Sequence, residues 1–473
     1  MSTRTGETAP PRPVAIGFPC ALLYRLLPAA IALVLFLTFT ALYLFGHQDT
    51  YRVILSDAGI DPWAFPFIDT GDRFAAWQCV RNGVSIYDII EHNPCDVLLR
   101  PFNNSPFQIS FSFIPLGVDA VGTVGCVLAL AFILSLTLLP PARRPWELLL
   151  TVLAANSSTV GYAVERGNPD IFLFMLAMAA GFLALRRLPL RWLAYLLALF
   201  AAMLKYYPAS LLILTMRERV IQFIAVNAVL LVLGGIFVIS YFPDIQHSLA
   251  LLPLRHYDGE QFGMRDLPHQ TAAIILNRPL DREDASQTFD LIFFCTLAAL
   301  LVAGAALCWR LLAATALPQA FWRLNGETRI FLVIGSVLIA GCFFSEPNNL
   351  YRGVYLLFVL PGLLTIARDS KDRRLRRIAF ATGILVVLLM WGEFFRFNIW
   401  PLLHPAGALG LPAPTLKILF DIFLVFRELG WWWLVMIMLC ILLIFLGRAN
   451  ALQDLRRIYT GRQLTLDANS DHS

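Results

Sequence analysis

The chain has 473 residues, of which 58% are hydrophobic and only 15% are charged, and its mean hydropathy is +0.68. Soluble domains carry about 25% charged residues, so this composition excludes an ordinary soluble protein and indicates an all-α polytopic membrane protein. The net charge of +5 does not indicate nucleic-acid binding, because the Arg and Lys residues cluster at the ends of apolar runs, where membrane orientation explains them.

The hydropathy pattern predicts one membrane domain over residues 21–448 with about 11 to 12 membrane segments. A polar, proline-rich stretch over residues 1–20 predicts a disordered cytoplasmic N-terminus, and the basic tail at 449–473 is also expected to be cytoplasmic. Long polar loops interrupt the domain at 47–107 and 242–288. The apolar segments fall at about 24–46, 109–138, 147–164, 170–186, 190–216, 220–241, 289–312, 328–344, 350–366, 377–397 and 430–447.

Basic residues in the short connections set the orientation, and the run ARDSKDRRLRR (367–377) is the strongest cytoplasmic signal. When every basic connection is cytoplasmic, the segment 190–216 begins and ends on the same side. The motif KYYP (205–208) lies in its middle, where Tyr207 precedes a proline and Lys205 is costly in lipid. We therefore predict two half-helices that meet at Lys205 beside a polar cavity, and the alternative is one tilted helix with a snorkelling lysine.

This topology collects the unusual polar residues on the extracytoplasmic side of the cell (inner) membrane, above all in the first loop. Asp69 is a candidate general base, since desolvation near a membrane tends to raise the pKa of a carboxyl group. The alternative is a helix cap, because IDTGDRFAAW resembles a helix start with Asp72 in its first turn. Cys79 and Cys95 share this loop and are able to pair in an oxidising compartment.

Three basic residues are candidate ligands for a donor phosphate. Arg166 in the turn ERGNPD (165–170) suits bidentate phosphate binding, while Lys205 offers a point charge and Arg352 in NNLYR (348–352) a second cation. Each taken singly is equally compatible with an interfacial anchor. Together with the predicted broken helix, they indicate a site for a phosphate-linked lipid.

Further candidates for substrate binding are Glu165 and Asn168 in the ERGNPD turn, His269 in the second loop and Tyr351 beside Arg352. A solvated loop or an interfacial ion pair explains each of them equally well. No P-loop, Rossmann fingerprint, HExxH motif or outer-loop DxD pair occurs, so we expect no cofactor, no metal and no nucleotide donor.

Several motifs resemble glycosyltransferase family 87 when they are taken in order. The stretch from Asp69 through Gly83 to Tyr87 and Asp88 is similar to the family's first-loop signature of an acid, aromatics and alanines, and a glycine before "xxxYD". Four later segments are similar to its RGN, K-x-x-P, NQSL and YR elements: ERGNPD, KYYP, HQTAAIILNRPL (269–280, with His269 in place of asparagine) and NNLYRGVYLLFVLP (348–361).

The resemblance implies a GT-C fold and a polyprenyl-phosphate mannose donor, with a lipid or glycan acceptor, membrane lipids as surroundings and no nucleic acid. It implies inversion with a first-loop acid as base, here Asp69, although Gly71 and Asp72 depart from the family pattern and leave Asp72 as the other candidate. The main alternative is a transporter or flippase of lipid-linked sugars, which shares broken helices and membrane cations. A transporter is expected to contain inverted repeats, and none is visible in the sequence.

Overall fold

The computed structural model describes residues 18–63, 65–87, 93–251, 261–278, 286–345, 348–403 and 412–459. The predicted disordered N-terminus up to residue 17, Asp88, the centre of the second loop and the tail from residue 460 lie outside these ranges. The described part of the chain is helical, and its extended pairing is limited to one isolated bridge between Gln261 and Asn349. The protein is therefore an all-helical, polytopic membrane protein.

The described residues form eighteen α-helices, which follow in chain order. They are α1 Phe18–Leu44, α2 Gln48–Asp57, α3 Ile68–Arg81, α4 Val121–Ser135, α5 Pro145–Ala155, α6 Ser158–Glu165, α7 Pro169–Ala184, α8 Leu188–Leu204, α9 Val220–Ser240, α10 Phe242–Ala250, α11 Asp266–Ile275, α12 Gln287–Ala314, α13 Leu317–Arg323, α14 Gly326–Ser345, α15 Leu356–Asp369, α16 Arg373–Met390, α17 Gly392–Leu403 and α18 Ala413–Gly447. The longest 3-10 helices are Pro106–Phe111, Tyr207–Arg217 and Leu350–Tyr355.

Within the described residues, 7 helices are long and apolar enough to cross a membrane, or up to 9 if each of two bent helix pairs forms one span. This count is lower than the predicted 11 to 12, because several predicted segments are divided into short helices. The segment 147–164 is split into α5 and α6, and the chain bends by 118° before α7. Pro145, Pro169 and Pro189 each lie in the first turn of a helix, where the missing N–H costs nothing.

The segment 190–216 breaks at KYYP. Helix α8 ends at Leu204, Lys205 has an extended backbone (φ −145°, ψ 139°), and the 3-10 helix Tyr207–Arg217 follows. Glu218, just after this 3-10 helix, pairs with Arg191 in the first turn of α8 at 2.8 Å. The chain thus returns to the level at which α8 begins, which is the hairpin predicted from the loop charges.

The centre of the fold consists of α7, α14, α15 and the membrane half of α18, whose side chains are almost all buried. The ring of Phe174 in α7 stacks on that of Phe358 in α15 at 4.1 Å between centroids. A Cβ atom at Gly335 would lie 2.6 Å from Val359 Cγ2, so a residue without a side chain lets α14 and α15 approach closely. Helices α1, α9 and α12 expose most of their apolar surface and form the lipid-facing periphery.

Helix α18 begins much earlier than the segment predicted at 430–447. Its 35 residues include a first half that contains Lys417, Asp421, Arg427 and Glu428, and these charges made the stretch resemble a loop. The helix continues through them because Arg427 and Glu428 are buried and form an ion pair at 2.5 Å. A charge that is paired inside the protein does not end a helix.

Candidate functional site

Helix α3 is attached at its start to the ERGNPD turn between α6 and α7. The backbone N–H of Asp69 donates to the carbonyl of Arg166 at 2.9 Å, and the hydroxyl of Thr70 donates to the carbonyl of Gly167 at 2.8 Å. Gly167 has a φ of +56°, and a Cβ atom there would lie 2.6 Å from Thr70 Oγ1. Glycine is therefore required at this position by both its conformation and the close approach of α3.

Asp69 is held by several donors. Arg166 donates to both of its carboxylate oxygens, at 2.8 and 3.0 Å, and Asn168 Nδ2 donates to Oδ2 at 2.5 Å. Arg100 Nη1 lies 3.7 Å from Oδ1. Burial raises the pKa of the Asp69 carboxyl, but the charge and hydrogen bonds of Arg166, together with Arg73 and Asn168, outweigh burial and hold this pKa well below its usual range. Asp69 is therefore a fully partnered carboxylate.

Asp72 lies one turn further along α3 in a different environment. The residue is buried, its Oδ2 accepts one hydrogen bond from Asn104 Nδ2 at 3.0 Å, and its Oδ1 has no hydrogen-bond partner among the described residues. Burial raises the pKa of the Asp72 carboxyl to about 7, against the opposing charges of Arg100 and Arg73. A carboxylate with one unbonded oxygen and a pKa near neutrality has the properties of a general base.

The end of the first loop joins Asp72 to the break after α8. Arg73 donates from Nε to Gln108 Oε1 at 2.8 Å and from Nη2 to Asn104 Oδ1 at 3.1 Å. Gln108 Nε2 in turn donates to the carbonyl of Leu204 at 2.8 Å. Because Leu204 precedes Lys205, these hydrogen bonds bring the acids of α3 close to the lysine of the KYYP hairpin.

The carboxylate of Asp170 lies between two cations, Lys205 and Arg352. This carboxylate is fully buried, and its Oδ2 lies 2.9 Å from Lys205 Nζ and 3.8 Å from Arg352 Nε. Its Oδ1 accepts a hydrogen bond from the hydroxyl of Tyr207 at 2.5 Å. One carboxylate thus fixes the spacing of a lysine and an arginine that come from distant parts of the chain, and it compensates their burial.

The side chain of Asn168 links Asp69 to Lys205, the ionic partner of Asp170. Its Nδ2 donates to Asp69 at 2.5 Å, while its Oδ1 accepts from Lys205 Nζ at 3.4 Å. The ring of Tyr351 lies beneath Lys205 Nζ at 5.5 Å, within the range of a cation–π interaction. The ERGNPD turn, the KYYP hairpin and the NNLYR segment therefore meet in one site.

The structure thus brings together seven of the residues singled out in the sequence: Asp69, Asp72, Arg166, Asn168, Lys205, Tyr351 and Arg352. Two others lie elsewhere. The ring of His269 in α11 packs against Phe289 of α12 at 5.3 Å, and Glu165 accepts a hydrogen bond from the hydroxyl of Tyr51 at 3.4 Å on the opposite side of the ERGNPD turn.

Sequence reasoning did not select several residues of the site, namely Arg73, Arg100, Asn104, Gln108, Asp170 and Tyr207. A signal was present for two of them, since Asp170 belongs to ERGNPD and Tyr207 to KYYP. Asn104 and Gln108 have no distinguishing pattern, because they look like ordinary polar residues near the end of a long loop. Their partners are about 30 or more residues away and become visible only in the fold.

Cys79 and Cys95 form a disulfide with a Cα–Cα distance of 5.7 Å. The bond ties the end of α3 to the segment that contains Asp96 and Arg100. Arg100 pairs with Asp96 at 2.8 Å and donates to the carbonyl of Ile68 at 2.9 Å, so this segment folds back onto the start of α3. The disulfide therefore restrains the loop that supplies one of the cations near Asp69.

No group of three or more His, Cys, Asp or Glu side chains arranged to hold a metal occurs in the described ranges. Comparisons with known proteins found no matching family model, no matching curated protein and no matching solved structure. The resemblance to glycosyltransferase family 87 therefore depends on the motifs alone, and the function has to be argued from the site.

Proposed function

We propose that this protein is a GT-C-type membrane glycosyltransferase. It transfers a hexose, mannose by the family resemblance, from a polyprenyl-phosphate-linked donor to a lipid or glycan acceptor, with inversion at the anomeric carbon. The observation that carries the proposal is the partly unbonded carboxylate of Asp72 in the same site as the paired cations Lys205 and Arg352. A proton acceptor and a phosphate-binding pair are the two elements that such a transfer needs.

In the proposed reaction, Asp72 rather than Asp69 accepts the proton. The acceptor hydroxyl loses its proton to Asp72 as its oxygen forms a bond to the anomeric carbon. The bond from that carbon to the phosphate oxygen breaks, and polyprenyl phosphate leaves with the electron pair. The single hydrogen bond to Asp72 supports this role, whereas the two hydrogen bonds from Arg166 to Asp69 make Asp69 a poor proton acceptor.

The leaving phosphate gains negative charge in the transition state, and cations held in advance stabilise it most. Lys205 and Arg352 are already oriented by Asp170, and Arg73 lies close enough to Lys205 to interact with its charge. Hydrogen bonds hold Arg73 against Asn104 and Gln108, so little ordering is needed when the donor binds. In this proposal, Asp69 and Arg166 are positioning residues that hold α3 in place.

The site is expected on the extracytoplasmic side. The basic connections around Arg143, Arg187 and Arg374 belong in the cytoplasm by the positive-inside rule, and the first loop then lies on the other side. A disulfide between Cys79 and Cys95 in that loop agrees with an oxidising compartment.

A transporter of lipid-linked sugars is the second candidate, and the broken hairpin at Lys205 is the observation that favours it. A transporter forms no glycosidic bond, so the two functions differ in whether sugar is transferred and in whether that transfer needs Asp72. Flipping of a fluorescent polyprenyl-phosphate sugar by protein in liposomes, unchanged in Asp72→Asn and without any sugar transfer, would favour the transporter.

The test is transfer of radiolabelled mannose from synthetic polyprenyl-phosphate mannose to membrane-extract acceptors by the purified full-length protein. Loss of a general base typically costs 100-fold or more, so Asp72→Asn is expected to lower the rate by roughly that factor. Asp72→Glu, which keeps the carboxylate, is the matched control and should retain part of the activity. A rate for Asp72→Asn within about threefold of wild type would overturn the assignment of the base.

A further inference from the structure

A groove of about 480 Å³ opens between α1, α2, α4 and the α5–α6 pair, and its lining includes none of Lys205, Asp170 or Arg352. Its walls are almost entirely apolar. They include Phe36, Phe39, Ile60, Cys126, Val160 and Trp391. Because α1 and α4 expose much of their surface to the membrane, the chain of a lipid can enter the groove sideways.

One acid interrupts this apolar lining. Glu165 forms part of the groove wall and is only 7% exposed. Its Oε1 accepts a long hydrogen bond of 3.4 Å from Tyr51, and its Oε2 is buried without a partner in the described part of the chain. A buried polar atom without a hydrogen-bond partner is costly, so its presence in an apolar groove points to a ligand with a hydroxyl, which can either donate or accept.

The groove reaches the candidate active site through the first loop. Phe67 lines the groove, and its backbone N–H donates to the carbonyl of Glu165 at 2.6 Å. Asp69 follows two residues later and pairs with Arg166, the neighbour of Glu165. A lipid whose chain fills the groove therefore has its headgroup next to the ion pair at the start of α3.

We infer that the groove binds the lipid chain of the acceptor, a membrane lipid with a hydroxylated and uncharged headgroup that hydrogen-bonds to Glu165. This inference rests on the proposed function and specifies its acceptor. The donor phosphate is not expected here, because no Lys or Arg of the described residues lines the groove. The cations that suit a phosphate, Lys205 and Arg352, are gathered instead around Asp170, which does not line the groove.

The test measures binding rather than transfer, so that it can fail independently of the proposed function. The probes are two photoreactive lipids with the same diazirine-bearing octadecyl chain, one an octadecyl glycoside and the other an octadecyl phosphate. Each is cross-linked to the full-length protein in nanodiscs, and labelled peptides are mapped by mass spectrometry. We expect the glycoside to label α1, α4 and α6 about tenfold more than the phosphate does.

Two variants show whether labelling reports the groove. Gly122 lines the groove and a Cβ atom there meets nothing within 4 Å, so Gly122→Phe places a ring at the groove wall without a clash at its Cβ. Gly235 on the lipid-facing helix α9 is equally open and lies outside the groove, which makes Gly235→Phe the matched control. Labelling by the glycoside should be lost in Gly122→Phe and kept in Gly235→Phe. Glu165→Leu, which removes the hydrogen-bonding group, should reduce the preference for the glycoside over the phosphate.

Three outcomes would overturn the inference. Equal labelling by both probes would mean that the groove holds the donor chain or unselected membrane lipid. Labelling that survives Gly122→Phe would mean that the probe contacts only the outer surface. A preference for the glycoside that is unchanged in Glu165→Leu would remove the role of Glu165. If selective labelling is found but mannose transfer is not, the groove stands as a lipid site and the proposed function fails alone.

Discussion

Asp69 and Asp72 lie one turn apart on α3 but differ in their partners. Asp69 receives two hydrogen bonds from Arg166 and one from Asn168, whereas Asp72 receives a single hydrogen bond from Asn104. Two acids of similar appearance in the sequence thus have different environments, which under the proposed function correspond to a structural role for Asp69 and a chemical role for Asp72. The predictions below begin from this difference.

We expect Asp69→Asn and Asp72→Asn to have different effects on stability. Asp69→Asn leaves Arg166 buried without its carboxylate, which should lower the free energy of unfolding by about 3 kcal/mol. Asp72→Asn removes an unpaired buried charge and should leave this free energy unchanged or higher at pH 8. Thermal unfolding of the purified variants at pH 8 measures both effects. Equal destabilisation by the two substitutions would contradict the division of roles.

The pH dependence of transfer should follow the titration of Asp72. The base acts when it is deprotonated, so the rate should increase with pH and level off above a pKa of about 7. Initial rates of mannose transfer between pH 5 and pH 9 test this, and Asp72→Asn should give a low, nearly flat profile. A wild-type profile that is flat between pH 5.5 and pH 8 would argue against Asp72 as the base.

Stability should depend on pH in the opposite sense. The folded pKa of Asp72, about 7, lies above the ordinary carboxyl value of 3.8, so the folded chain binds this proton more tightly than the unfolded chain does. The stability that this group contributes is complete below pH 4 and is lost as the pH rises through about 7. The difference in melting temperature between wild type and Asp72→Asn should therefore shift in favour of Asp72→Asn between pH 5 and pH 8.

Asp170 and Lys205 should be strongly coupled. Asp170→Asn leaves the buried Lys205 without the carboxylate with which it pairs at 2.9 Å, and Lys205→Met removes the nearer of the two cations beside Asp170, which leaves Arg352 Nε at 3.8 Å. Each single variant should have a lower free energy of unfolding than the wild type. The loss in the double variant should be smaller than the sum of the two single losses by about 1–3 kcal/mol. Lys205→Met should also raise the KM for the donor. Lys417→Met removes an exposed lysine from α18 and provides the control. This variant should change neither the free energy of unfolding nor the KM for the donor.

The KYYP hairpin predicts a specific topology. Arg187 immediately precedes α8 and Arg219 immediately precedes α9, so Arg187→Cys and Arg219→Cys should react with a membrane-impermeant maleimide from the same side. Asp119→Cys, after the first loop, should react from the opposite side. The unmodified chain gives the background of its native cysteines. Labelling of positions 187 and 219 from opposite sides would show that 190–216 is a single span.

The sequence alone was sufficient to predict an all-helical, polytopic membrane protein and the break at Lys205, but not the number of membrane spans. Loop charges and the Tyr207–Pro208 step act locally, so their consequences can be inferred without a fold. The early start of α18 was not predicted. Arg427 and Glu428 are compatible with a buried helix because they pair with each other and because Arg427 also lies near Glu393, 34 residues away in the sequence.

The division of roles between Asp69 and Asp72 could not be predicted for the same reason. Their properties are set by Arg166 and Asn104, which lie in other segments of the chain. A motif indicates which residue types are present, but the pKa of a carboxyl depends on burial and on neighbours that only the fold supplies. Glu165 is a similar case, since its place in the groove wall depends on how α6 packs against α1 and α2.

The length of helix α18 sets the distance of the second loop from the opposite membrane surface. The stretch from Gly447 back to Glu428 is about 30 Å long at 1.5 Å per residue, which equals the hydrocarbon thickness of a typical bilayer. Arg427, at the far end of this stretch, donates to the carbonyl of Gln261 at 2.9 Å and so fixes the second loop at that height. Under the proposed function, a bilayer thicker or thinner by a few ångströms would shift lipid-anchored substrates relative to a site whose height is set by the protein, so the rate of transfer is expected to depend on membrane thickness.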